Sequence, residues 1–279
     1  MRAYPYRLVN VFAESVFGGN PLCVFENGEG LSVAEMQALA LQFNLSETTF
    51  ILPSGAATAR VRIFTPTFEM AFAGHPTLGS AHVVRDLRSA GDTLRLEMKA
   101  GIIPVEAKAD RWTFTANAPA VREVEFSAAQ LADALGLAAA DVLDGARWVN
   151  TGSDQLIIPL ASPDAVRRAS PAAEKLARIK SSQDRSMAYV FSANGAGKLL
   201  SRFFFMKHTS VIEDPATGSA TANLGGWMLS NGRNPCAFSI EQGEQTGRAC
   251  HLGLDVSVSG RIQVTGQVIE IGRGVIHLP

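Results

Sequence analysis

Two titratable residues of different chemistry head the two copies of a repeated segment. His75 opens His75-Pro76-Thr77-Leu78-Gly79-Ser80-Ala81, and Asp214 opens Asp214-Pro215-Ala216-Thr217-Gly218-Ser219-Ala220, 139 residues later in a chain of 279. Proline, glycine, serine and alanine are common to both copies. The first position carries an imidazole in one and a carboxylate in the other. Groups of these two types at matched positions are candidates to orient or protonate a substrate. Gly79-Ser80 and Gly218-Ser219 read as the starts of helices. A helix N-terminus carries unpaired amides and the positive end of the helix dipole, so it attracts anions. Gly79, Ser80, Gly218 and Ser219 would then offer amides and hydroxyls to a substrate carboxylate. Plainer readings stand beside these. Gly-Ser can simply pack a helix on a sheet, His75 can be a satisfied core histidine, and Asp-Pro is a common N-cap followed by proline at the first helical position.

The elements around these segments repeat as well. Val9-Asn10 returns as Val149-Asn150, and Arg62-Ile63-Phe64 returns as Arg202-Phe203-Phe204. The period is too long for a solenoid, whose units run about 20–50 residues, and it suits two domains of ordinary size. The expected division is an N-terminal lobe over 1–120 and a C-terminal lobe over 121–279, with the last strand able to return to the first lobe. Strand-like runs rich in Val, Ile and Phe dominate. The first half has Leu8–Phe12, Pro21–Phe25, Thr49–Leu52, Ala59–Phe64, Leu94–Met98 and Trp112–Ala116. The second has Gln155–Leu160, Met187–Phe191, Leu199–Met206, Asp255–Ser259, Ile262–Thr265 and Val275–Leu278. Helices are fewer. Ser32 with Glu35 forms a capping box ahead of an apolar stripe at Val33, Met36, Leu39, Ala40 and Phe43. Ser127 opens a second helix that ends at Gly136. Ser162-Pro163 and Ser170-Pro171 each read as a cap followed by proline.

Composition narrows the functions. Hydrophobic residues are 47% and charged residues 18%, which marks a globular chain, and the formal net charge of −1 comes without a basic cluster. Nucleic acid and anionic membranes are therefore not expected partners. Neither a signal-peptide pattern nor an apolar run of membrane-spanning length is present. The cysteines, Cys23, Cys236 and Cys250, are scattered and odd in number, which points to a reducing, cytoplasmic setting. Gly195-Ala196-Gly197-Lys198 lacks the first glycine of a phosphate loop and reads as a hairpin turn. No His/Cys cluster has metal spacing.

Six segments in order resemble the phenazine-biosynthesis isomerase family, the PhzF-like relatives of the diaminopimelate epimerases. They are Val9-Asn10-Val11-Phe12 with Gly19-Asn20-Pro21; Asn44-Leu45-Ser46-Glu47-Thr48; Arg62-Ile63-Phe64-Thr65-Pro66; Phe72-Ala73-Gly74-His75-Pro76-Thr77-Leu78-Gly79; Glu213-Asp214-Pro215-Ala216-Thr217-Gly218-Ser219-Ala220; and Gln242-Gly243 with Gly247-Arg248. Met70-Ala71 and Ala249-Cys250 depart from the family's usual leucine-proline and proline-serine. The resemblance implies an α+β fold of two pseudo-symmetric lobes, each a curved mixed sheet around a central helix. It implies a site between the lobes that needs no cofactor. Glu47 matches the family's catalytic glutamate, His75 and Asp214 its partner residues, and Ser219 its small hydroxyl residue at the second helix start. By sequence alone Glu47 is no more notable than Glu69 or Glu213. The related epimerases carry two cysteines where His75 and Asp214 stand here, so a two-thiol mechanism is closed to this chain.

The expected activity is an isomerase acting on a small carboxylate with a weakly acidic C–H. Glu47 would move the proton, His75 and Asp214 would polarise or orient, and the helix starts would hold the carboxylate. A racemase or epimerase of a small amino or hydroxy acid, and a binding protein without catalysis, are the alternatives. Resemblance, together with the strand edges such lobes must cover, points to a homodimer.

Overall fold

The computed structural model describes residues 1–279. The chain forms two compact units, Met1–Thr115 with Thr265–Pro279, and Ala116–Val264. The first contains β1 (Arg2–Val11), β2 (Asn20–Phe25), α1 (Val33–Phe43), β3 (Glu47–Leu52), β4 (Ala59–Phe64), β5 (Glu69–Met70), α2 (Gly74–Leu87), β6 (Thr93–Met98), β7 (Gly101–Lys108) and β8 (Arg111–Thr115). The second contains β9 (Ala120–Arg122), α3 (Ala128–Leu135), β10 (Arg147–Asn150), β11 (Asp154–Pro159), α4 (Pro163–Arg168), α5 (Ala173–Leu176), β12 (Met187–Ala193), β13 (Lys198–Lys207), β14 (Ser210–Asp214), α6 (Gly218–Ser230), β15 (Cys236–Gln242) and β16 (Cys250–Val256). The last strand, β17 (Ile262–Leu278), begins in the second unit and runs on into the first.

The strands of each unit pair in one mixed pattern. In the first, β1 and β2 are antiparallel, β2 and β3 parallel, β3 and β4 antiparallel, and β4 and β6 parallel. In the second, the same sequence of pairings runs through β10, β11, β12, β13 and β15. Each parallel pair needs a crossover. The helix α1 bridges β2 to β3, α4 and α5 bridge β11 to β12, and α2 and α6 serve the β4–β6 and β13–β15 steps.

These crossovers differ in what they bury. The amphipathic α1 presents Met36, Leu39 and Ala40 inward and is fixed at its start by Ser32, whose hydroxyl accepts from the Glu35 amide at 3.2 Å while the Glu35 carboxylate accepts from the Ser32 amide at 2.7 Å. By contrast α2 and α6 are buried nearly all round, and the small residues of their first turns let strands approach closely. In α2, Gly79 shows why: a Cβ there would lie 2.6 Å from Leu22 Cδ2 and 3.0 Å from Val11 Cγ2. The helix touches β1, β2, β3, β4, β6 and β8. A core of Phe25, Phe50, Phe64 and Met36 fills the other side of the first sheet, with the Phe25 and Phe50 rings stacked at 4.8 Å. Trp148, Ile158, Val190, Leu200 and Phe204 pack with α3 and α4 in the second unit.

Several sequence expectations are corrected here. Ser170-Pro171 does not cap a helix; α5 starts at Ala173, after Ala172. The expected strand Asp255–Ser259 is the end of β16 and a turn, in which Ser257 and Arg261 pair backbones at 2.9 Å. Ile262–Thr265 and Val275–Leu278 belong to one continuous strand. Glycines and charges between them break the apolar pattern, yet the backbone ladder with β1 continues from Arg2↔Leu278 to Val11↔Val268. No helix is long and apolar enough to cross a membrane.

Candidate active site

Glu47 is the first residue of β3, set opposite Leu22 in the parallel ladder with β2. His75 is the second residue of α2, so its backbone sits at the positive end of a buried helix. The fold brings the two side chains together, with Glu47 Oε2 lying 3.5 Å from His75 Nε2. Burial decides the protonation state. His75 is 3% exposed, and desolvation drives its pKa from 6.5 down to about 3. The distance alone would admit an ion pair, but an imidazolium at this depth pays more in lost hydration than one carboxylate at 3.5 Å restores. The imidazole is neutral, and its Nε2 makes no full hydrogen bond. It is not a satisfied core histidine.

The two glutamates that matched Glu47 in sequence are separated from it by their partners. Glu69 is held by Arg62 in a two-pronged contact at 2.7 and 2.9 Å, with the guanidinium lowering its pKa. Glu213 is held by Arg202 in the same way, at 3.0 and 2.7 Å. Arg202 also donates to the carbonyls of Val166, Arg167 and Ala169 at the end of α4. Both pairs are structural clamps. Glu47 faces a neutral imidazole.

In the second unit Asp214 ends β14, opposite Phe203 of β13. It is not the cap of α6, which begins four residues later after Thr217. Its carboxylate Oδ2 accepts from the Thr217 hydroxyl at 2.6 Å. Gln242 closes the ring: its Nε2 donates to the Asp214 carbonyl at 2.9 Å and to the Thr217 hydroxyl at 3.1 Å, while its Oε1 accepts from the Thr217 amide at 3.3 Å. One carboxylate oxygen is thereby fixed in direction. Gly218 and Ser219 form the first turn of α6, and Ser219 Oγ accepts from Gln155 Nε2 at 3.1 Å.

The expectation for Gly79 and Ser80 is corrected. The helix α2 starts at Gly74, so both residues lie in its second turn, where amides point to helix carbonyls. Gly79 packs on Leu22 and Val11, and the fully buried Ser80 hydroxyl bonds Thr49 Oγ1 at 2.9 Å. The matched segments thus diverge: α2 is already helical at His75, whereas Asp214 still belongs to a strand. Thr217 and Gln242 were missed as candidates. Thr217 was legible as a polar residue at the repeat position where the first copy has Leu78. No three His, Cys, Asp or Glu side chains converge as a metal site.

The fold is the mixed-sheet fold shared by PhzF structures and proline-racemase-like proteins. A Bacillus anthracis phenazine biosynthesis protein of the PhzF family superposes with a TM-score of 0.86 over 100% of both chains, at 23% identity. A hydroxyproline epimerase from Agrobacterium vitis gives 0.65 over 99% of this chain and 92% of its own, at 11% identity. A family model described as phenazine biosynthesis-like protein, PhzC-PhzF, matches residues 9–274. An uncharacterized isomerase of Pasteurella multocida is 40% identical over 99% of this chain and 95% of its own. The trans-2,3-dihydro-3-hydroxyanthranilate isomerase of Pseudomonas fluorescens is 30% identical over 98% and 99%. The chain belongs to the PhzC-PhzF family, and it is an isomerase.

Proposed function

We infer that this isomerase moves a proton on a small cyclic amino carboxylate without a cofactor, and that Glu47 carries the proton. The observation that carries the reading is the Glu47–His75 contact at 3.5 Å, with the imidazole held neutral by burial. A base must exchange its proton with substrate, so it cannot be locked to a guanidinium. Glu69 and Glu213 are held in that way, by Arg62 and Arg202, and Glu47 meets the neutral His75. Neutral His75 can take or give one hydrogen bond without competing for the charge, which suits it to orienting a reacting group. In this reading Asp214 acts through the carboxylate that Thr217 orients, and the Ser219 hydroxyl serves as a donor to a substrate carboxylate. The repeated order of strand pairings supports a duplicated, diaminopimelate epimerase-like ancestry for the two units. The sequence leaves no thiol at position 75 or 214, so a proton delivered from a second side would come from an oxygen or nitrogen acid.

The substrate class is taken from the relative that isomerises trans-2,3-dihydro-3-hydroxyanthranilate. That compound, incubated with the protein in D₂O, should take up deuterium at carbon and change its ultraviolet absorbance as a double bond moves. Inversion of one labelled centre without an absorbance change would identify an epimerase. Glu47→Gln should lower the exchange rate by roughly 10²–10⁴ with the melting temperature nearly unchanged. Wild-type exchange in that variant would remove Glu47 from the mechanism.

A further inference from the structure

The second unit contains a chain of buried amides that ends on Ser219. Asn223 of α6 is fully buried, and its Oδ1 accepts from the Thr151 amide at 2.8 Å and from the Thr151 hydroxyl at 2.7 Å. Its Nδ2 donates to the Ser153 carbonyl at 2.8 Å and to Gln155 Oε1 at 2.7 Å. A backbone N–H can only donate and a backbone carbonyl can only accept, so the two main-chain contacts fix which end of the Asn223 amide is which. Asn223 then presents N–H to Gln155, so the Gln155 oxygen must face Asn223. Its NH₂ group must face Ser219 Oγ, which it reaches at 3.1 Å. The Ser219 oxygen is therefore already used as an acceptor, and no protein oxygen takes its proton.

The matched positions of the first unit show that packing does not require this chain. Strand register places Gln155 opposite Val149 as Leu22 is opposite Val9, and the repeat places Asn223 where Val84 stands. Both counterparts are apolar and fully buried. Ser80, the counterpart of Ser219, turns inward to Thr49. A buried polar relay where the other copy is apolar carries a desolvation cost, and its effect is to set the direction of one hydroxyl.

We propose that Gln155 and Asn223 are positioning residues that occupy one Ser219 lone pair and turn its proton away from the amide chain toward the ligand, so that the site favours a charged group that only accepts, such as a carboxylate, over an isosteric carboxamide. The inference rests on the proposed role of Ser219 toward the substrate. Gln155→Glu is nearly isosteric and reverses the last link: the Ser219 proton would go to the new carboxylate, leaving lone pairs toward the ligand. Gln155→Met removes the link and frees the hydroxyl to rotate.

The test compares anthranilate with anthranilamide by calorimetric titration of the full-length protein and both variants, with folding checked by thermal melting. Wild type should prefer the acid by roughly tenfold or more, as expected for a hydrogen bond to a charged group. Gln155→Glu should abolish or invert that ratio, and Gln155→Met should reduce it about threefold or more. Equal weakening of both ligands, with the ratio kept, would show Gln155 to be merely structural and overturn the relay while leaving the proton-transfer reading intact. Failure of wild type to bind anthranilate, or any preference for the amide, would instead strike the carboxylate-binding role of Ser219 itself, and the relay with it.

Discussion

Glu47, Glu69 and Glu213 are the same side chain in three electrostatic settings. Two are bound by an arginine fork and one meets a neutral imidazole. The histidine setting has a measurable consequence for stability. Between about pH 3 and 6.5 the unfolded chain protonates His75 and the folded chain does not, so the unfolded state binds more protons and stability falls as pH is lowered through that window. His75→Asn should flatten the fall in melting temperature between pH 7 and 5, with up to about 1.4 kcal/mol per pH unit due to this one group. A variant as acid-sensitive as wild type would mean that His75 is protonated when folded. His82, also lowered by burial, acts in the same direction and remains in both proteins. At Asp214 the matching experiment concerns the Thr217 hydroxyl. Thr217→Val removes a hydrogen bond to a carboxylate, and the rate of deuterium incorporation should drop roughly 10–100-fold, while Thr217→Ser should recover most of it. Recovery by valine and serine alike would show that the hydroxyl is dispensable.

The elements set these residues through features as short as one turn. Starting α2 at Gly74 brings His75 into a buried first turn, and ending β14 at Asp214 leaves its carboxylate beside Thr217. The turn after β15 supports the second arrangement. Gly243 has φ +85°, and a Cβ there would lie 2.2 Å from the Arg248 carbonyl oxygen and 2.7 Å from that of Pro215. Both obstacles are backbone, so neither can swing aside, and Pro215 adjoins Asp214. Gly243→Ala should destabilise the protein by about 2 kcal/mol or more and slow deuterium exchange as well, read by thermal melting and by NMR. Gly136→Ala, also at positive φ but at the C-cap of α3, serves as the control: it should lower stability with exchange kept in the folded fraction. Local signals specified many of these elements. The capping boxes at Ser32 and Ser127 and the strand Ala59–Phe64 stand where the residue pattern puts them. The start of α2 did not, because Pro76 suits a first turn as well as a preceding loop, and only burial against six strands selects between them.

At the scale of the molecule, the last strand ties the end of the chain to its beginning. The Val268–Leu278 part of β17 pairs with the whole of β1, and β1 carries Val9 and Val11, both fully buried. Removing residues 265–279 would strip that ladder from β1. Hydrogen exchange followed by mass spectrometry should then find Arg2–Val11 unprotected, with a lower melting temperature than the full chain. Retained protection would show that pairing with β2 suffices. The near-neutral charge fits an enzyme recognising its ligand by a few placed groups rather than by a broad field.

Some of this was written in the order of residues. The repeat, the helix caps, most strands and the candidates Glu47, His75, Asp214 and Ser219 follow from periodicity, local hydrogen-bonding habits and family likeness, all of which act over a few neighbours. Tertiary structure decided that Glu69 and Glu213 are tied to arginine, that His75 is too buried to carry charge, that Ser80 bonds Thr49 while Ser219 accepts from Gln155, and that Asn223 fixes which end of the Gln155 amide faces Ser219. Each of those depends on a partner supplied by a remote stretch of chain, and hydration, charge and hydrogen-bond direction are set by what lies near in space.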